Sequence, residues 1–228
     1  SQKSLEEFFL EQGKFGIYDV DTRFLTKILR KTGAMRAFIS TEISDPKELK
    51  NALESSSKID EVNYVAIVSA KTPYNHENGA WNFAQMSYNK PKSNGKKIAV
   101  IDYGVKRNIL NQLCELGLEI EVFPHSVRGE ILIDKFKNGQ INGVFLKDEI
   151  AQIKKLFEAK VPMFGICLGH QLLSNAAGYE TYKLKFGQHG ANHPVQNLHS
   201  KSIEITAQNH NYNVPESIAE VCEITHRN

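Results

Sequence analysis

Several things this 228-residue chain has little of narrow what it can be. No stretch approaches the roughly 18 uncharged apolar residues that a spanning helix needs. The opening SQKSLEEFFLEQGKFG is too acidic, and too short in its apolar run, for a signal peptide. We therefore expect no membrane role and a cytoplasmic location. Cysteine is scarce and odd in number: Cys114, Cys167 and Cys222, with no CxxC pair. That pattern points to reduced thiols rather than a disulfide framework or a zinc site. Charge of one sign is lacking too. There are 28 Lys+Arg against 26 Asp+Glu, divided 13 to 12 up to Gly95 and 15 to 14 after it. Without a basic face, nucleic acid is excluded as the main partner, as is an anionic membrane. There is no GxxxxGK[ST] phosphate loop, no internal repeat and no low-complexity tract. What remains, 41% hydrophobic and 24% charged residues, is ordinary for a globular protein.

The segment from Ser69 to Lys97 holds TPYNHENG and MSYNKPKSNGKK, a composition that favours turns and exposed linkers. It divides the chain into an expected small α+β domain, residues 1–92, and an α/β domain, residues 96–228. In the first, Asp19 to Gly33 reads as a helix capped by Asp21, with Phe24, Leu25, Ile28 and Leu29 on one face and Gly33 as its stop. Met35 to Ile39 reads as a strand, and a second helix starts near Pro46. In the second, KIAVID (97–102), Leu118 to Phe123, Gly143 to Leu146 and Pro162 to Ile166 are short apolar runs alternating with helical patterns. Such alternation predicts a parallel sheet covered by helices on both faces. Leu146 is followed almost at once by the helical DEIAQIKKLFEAK, with no glycine or proline between, where a βα connection normally takes about 2–6 residues. We read this as a loop missing after 146. Glu220 to Thr225 reads as a terminal strand, with Cys222 in its core.

The informative motif is Gly165-Ile166-Cys167-Leu168-Gly169-His170-Gln171, between the apolar VPMF and the helical QLLSNAAG. This is the G-x-nucleophile-x-G layout of a nucleophile elbow. A reactive side chain on a sharp strand-to-helix turn needs tiny neighbours two residues either side, and glycine supplies that clearance. The following helix turns its N-terminus to the sulfur, and its partial positive charge favours thiolate over thiol. The Leu168 N–H is then placed to donate to an oxyanion. A lone cysteine is more often a buried small hydrophobe, but packing alone needs neither glycine. His170, three residues past Cys167 on the first helical turn, points elsewhere and is expected in a structural hydrogen bond. His189 and His193 have a metal-like H-x3-H spacing, with His199 nearby. They lack a carboxylate cluster, so no metal site is expected, and KFGQHGANHP is read as a rigid loop near the nucleophile.

On these residues the chain resembles the class I, triad-type glutamine amidotransferases. KFGQHGANHPV (185–195), ITAQNH (205–210), DYGVKRNI (102–109) and GIYDVDTRFLT (16–26) narrow the likeness to the small, glutamine-hydrolysing chains of carbamoyl-phosphate synthase. The resemblance implies that Cys167 attacks the side-chain amide of L-glutamine. It implies that ammonia passes to a large synthetase subunit, which makes carbamoyl phosphate for arginine and pyrimidine synthesis. No cofactor is implied in this chain; ATP and magnesium are expected on the large subunit. Leu168, Gln171, Asn209, Asn211 and Tyr212 fall on family positions that contact glutamine. Asn211 stands where the family usually has glycine; if the position needs positive φ, asparagine is the next most tolerant residue. The family's glycine- and proline-rich loop would follow Leu146. Its His and Glu partners of the nucleophile would lie in a His-Pro-Glu-type segment beyond Asn228, and no His-x-Glu occurs in these 228 residues. A further glutamine-binding serine would precede Ser1. Three alternatives stay open: the amidotransferase subunit of another synthetase, another cysteine hydrolase or redox sensor, or a non-catalytic binding subunit with an incomplete triad.

Overall fold

The structure, a computed structural model, describes residues 3–33, 35–58, 61–146 and 150–228. They gather in two compact units, the first ending at Leu53 and the second beginning at Glu54. The first opens with α1 (Leu5–Glu11). Ser4 and Glu7 form a reciprocal capping box there, the Ser4 hydroxyl accepting from Glu7 N and the Glu7 carboxylate from Ser4 N. Helix α2 (Thr22–Thr32) is capped by Asp21, whose Oδ1 accepts from Phe24 N at 2.8 Å, and it stops at Gly33 with φ +85°. The expected strand over 35–39 does not form: these residues join no strand ladder, and an extended segment without a partner is not a strand. Helix α3 (Pro46–Ser55) starts at its proline.

The second unit begins with α4 (Tyr64–Val68), capped by Asn63. The polar stretch read as linker is partly ordered ladder: β1 (Tyr74–His76), then a hairpin of β2 (Trp81–Asn82) and β3 (Ser87–Tyr88). Trp81 and Tyr88 meet edge to face at 5.0 Å across that hairpin. Strand–helix alternation follows as β4 (Lys97–Asp102), α5 (Arg107–Glu115), β5 (Glu119–Pro124), α6 (Gly129–Lys137), β6 (Gly143–Leu146), α7 (Ile150–Glu158), β7 (Met163–Gly165) and α8 (Leu168–Ala176). The sheet runs β1-β5-β4-β6-β7, with β1 antiparallel at one edge and the other pairs parallel.

Burial explains the apolar run of β4. Ala99 and Ile101 face one core with Leu132, Ile141, Val144, Ile153 and Leu156, beneath α6, α7 and α8. Val100 faces the other core with Leu110, Cys114, Ile120, Val122 and Phe145, beneath α5. A strand sealed on both sides has no polar positions to alternate with. The fold is thus the α/β, mostly parallel architecture that the alternation predicts.

Three local expectations are corrected beyond the sheet. KFGQHGANHP is not a loop; it lies inside the long strand β8 (Tyr182–Asn197), paired antiparallel with β9 (Ile203–Asn213). Register shifts between Lys183 and Gln188 and between Gly190 and His193 let the glycine-rich stretch stay in the ladder as bulges. Residues 220–225 are not a strand. A 3-10 turn (Glu216–Glu220) precedes them, and β10 (His226–Arg227) pairs with β8 instead. Cys222 is accordingly exposed, its thiol donating to Ile218 O at 3.4 Å. The junction flagged after Leu146 falls on residues 147–149, outside the described residues.

Candidate active site

Cys167 ends the turn between β7 and α8 with φ 56° and ψ −114°. A non-glycine residue rarely holds such a backbone, and the strain is tolerated where the surroundings over-determine it. Those surroundings are visible at Gly165: a Cβ there would lie 2.6 Å from Gly169 C, 2.7 Å from Gly169 O and 2.8 Å from His170 N, all backbone atoms that cannot swing aside. The elbow therefore admits no side chain at 165. The Cys167 thiol is exposed and free, while Cys114 is buried on α5, with its pKa pushed up chiefly by desolvation. Leu168 is the first residue of α8. Its side chain packs on the core and its N–H belongs to the helix N-terminal set that lacks intrahelical acceptors.

Strand β9 supplies the opposite wall. The Asn209 carbonyl accepts from Cys167 Sγ at 3.7 Å. Gln171 is not the solvent-facing helix residue that its polarity suggests: it is buried, and its amide donates to Tyr212 O at 3.0 Å. That carbonyl also faces His210 Nδ1 at 2.8 Å. His189 touches both Asn209 and Asn211. Asn211 is not among the residues with positive φ, so the glycine-like backbone considered for it is not used. The structure thus gathers Cys167, Leu168, Gln171, Asn209, Asn211 and Tyr212 where the N-terminus of α8 meets the end of β9. His170 borders an apolar cavity with Phe157, Met163, Leu173 and Ile218. His170 is nevertheless exposed, and partial desolvation, then the nearby His210, lower its pKa. Among the described residues no group of three or more His, Cys, Asp or Glu could hold a metal ion. Among them, too, no helix is long and apolar enough to cross a membrane.

An exposed nucleophile on a strained elbow at the carboxyl end of a parallel strand can form a covalent acyl intermediate. Residues 99–228 match the family model for glutamine amidotransferase class-I. The chain belongs to the class-I glutamine amidotransferase family. Residues 1–39 match a second model, the CPSase domain of carbamoyl-phosphate synthase small chain. The carbamoyl phosphate synthase small chain of Campylobacter jejuni is 59% identical over 238 aligned positions, covering 100% of this chain and 64% of that one. The protein of the same name from Helicobacter hepaticus is 48% identical, covering 100% of this chain and 63% of its own length. A chloroplastic counterpart from Arabidopsis thaliana is 36% identical, covering 99% and 54%. The chain therefore spans under two thirds of the length of these relatives.

The contacts of His189 with Asn209 and Asn211 have no signature in the sequence. His189 offers, in its spacing from His193, only a weak metal pattern. Its contacts run across a ladder whose register depends on a bulge, and spacing along one strand carries no trace of them.

Proposed function

We propose that this chain is the glutamine-hydrolysing part of a carbamoyl-phosphate synthase small chain. The strained, exposed Cys167 at the head of α8 carries the reading, and the small-chain relatives support it. The Cys167 thiolate attacks the side-chain carbonyl of L-glutamine, forming a C–S bond, while the Leu168 N–H donates to the developing oxyanion. Collapse breaks the C–N bond, the nitrogen takes up a proton and leaves as ammonia, and water then hydrolyses the thioester to glutamate. Gln171, Asn209, Asn211 and Tyr212 line the place where the substrate's amino-acid end is held. Proton transfer falls to the His–Glu pair implied by the resemblance, whose pattern these 228 residues do not contain.

For the loop expected after Leu146, alignment length leaves room without placing it. The Campylobacter alignment has 238 positions, ten more than this chain has residues. Ammonia passes to a large synthetase subunit, which uses ATP and magnesium; no cofactor is assigned to this chain. The setting is cytoplasmic, and the product feeds arginine and pyrimidine synthesis.

The test uses the full-length protein with its synthetase partner. Wild type should release glutamate from glutamine. Cys167→Ser should abolish this while carbamoyl phosphate still forms from free ammonia. Glutamate release by the serine variant, or none by wild type, contradicts the proposal.

A further inference from the structure

His189 stands directly opposite Asn209 in the β8–β9 ladder, so their side chains share a face. Asn211, two residues along β9, shares it as well. The His189 ring bridges the two amides, Nδ1 lying 2.8 Å from Asn209 Oδ1 and Nε2 3.1 Å from Asn211 Oδ1. A neutral imidazole donates at one nitrogen and accepts at the other, and each amide offers both a donor and an acceptor. Turning one amide therefore satisfies both contacts at once. Room for this clasp comes from Gly187, at φ +67°. A Cβ there would lie 2.5 Å from Asn211 Oδ1, 2.7 Å from His189 Nε2 and 2.8 Å from His210 O. The clasped stretch is the one that meets the nucleophile: the Asn209 carbonyl takes the Cys167 thiol, and Tyr212, next after Asn211, takes the Gln171 amide.

We infer that His189 is a positioning residue. It holds Asn209 and Asn211 in the orientation that receives the amino-acid end of the amide substrate, and so sets substrate affinity rather than the rate of bond breaking. The inference rests on the glutaminase reading above. His189 is not placed within reach of the sulfur by any contact; it acts through the two asparagines. A glycine at 211 would leave half of the clasp open.

The experiment measures glutamate release by the full-length protein, with KM and kcat separated. His189→Ala should raise the KM for glutamine about tenfold, the scale of one or two ordinary hydrogen bonds, with kcat changed less than about threefold. His189→Gln, which keeps a donor and an acceptor, should recover part of that affinity. Asn211→Gly should raise KM less, about threefold, and adding it to His189→Ala should cost little more, because the two act as one unit. Alkylation of Cys167 by iodoacetamide, which needs no amino-acid subsite, should keep the wild-type rate and pH profile in each variant. If His189→Ala does not fold, Asn211→Gly and His189→Gln carry the same comparison. A KM within about twofold of wild type in His189→Ala, or in Asn211→Gly where His189→Ala does not fold, overturns the inference. So does slowed alkylation, which would mean a generally distorted elbow. A wild-type protein that releases no glutamate overturns the glutaminase reading and this inference with it; a wild type that does, with unmoved KM in the variants, overturns this inference alone.

Discussion

At the scale of single residues, the site depends on what two positions omit and what one position burdens. Gly165 leaves out a side chain so that the turn can close on Gly169 and His170, Gly187 leaves one out so that His189 can reach Asn211, and Cys167 bears the strained backbone. The first omission was legible, because an elbow demands tiny neighbours at fixed offsets. The second was not, because it answers a contact across strands. His170 shows a different case, a titratable group whose pKa the fold lowers although the residue stays exposed. Its pKa is lowered by desolvation and then by His210. The unfolded chain protonates this imidazole near the ordinary value of about 6.5, whereas the folded chain does so only at lower pH. Its contribution to stability is therefore intact above that ordinary value, and it is lost as pH falls from there through the folded value. His170→Gln should flatten this part of the acid decline. Thermal unfolding at pH 7.5 and 5.5 checks it: the wild type should lose more Tm between the two than the variant, and equal losses would contradict the assignment.

At the scale of elements, Asp102 shows how the sheet end is finished. It lies at the carboxyl end of β4, buried, with Oδ2 accepting from Ala70 N at 2.8 Å and Oδ1 from Gly104 N at 2.8 Å and Val105 N at 2.9 Å. One carboxylate thus ties the segment after α4 to the turn that leads into α5. Asp102→Ala should cost about 3 kcal/mol in urea unfolding, since it strands three N–H groups whose hydrogen bonds to a charged acceptor are worth about 1.5–3 kcal/mol apiece before relaxation. A loss under about 1 kcal/mol would mean that water replaces the carboxylate there. Sequence pattern served the parallel strands well, because a strand buried on both faces must be apolar throughout, as KIAVID is. It served the β8–β9 hairpin poorly. Tyr182–Asn197 mixes glycine, histidine and lysine without alternation, and its bulges erase the period of two on which strand recognition depends. The 35–39 segment misled in the other direction: its composition suits a strand, but no ladder partner meets it.

At the scale of the whole molecule, the chemistry is concentrated in the second compact unit, where the nucleophile, its helix and the β9 wall come together. The amidotransferase model covers 99–228, and the small-chain model covers 1–39. The elbow was readable because its spacing is a steric necessity. The surrounding wall was readable only through the family resemblance, because contacts such as Gln171 to Tyr212 join residues 41 apart in the chain. The most direct measurement is mass mapping of the full-length protein after treatment with a diazoketone analogue of glutamine. The account predicts a single adduct on Cys167, with the exposed Cys222 and the buried Cys114 unmodified and free glutamine protecting the site. An unlabelled Cys167, or labelling of Cys222 to the same extent and without protection, would contradict it.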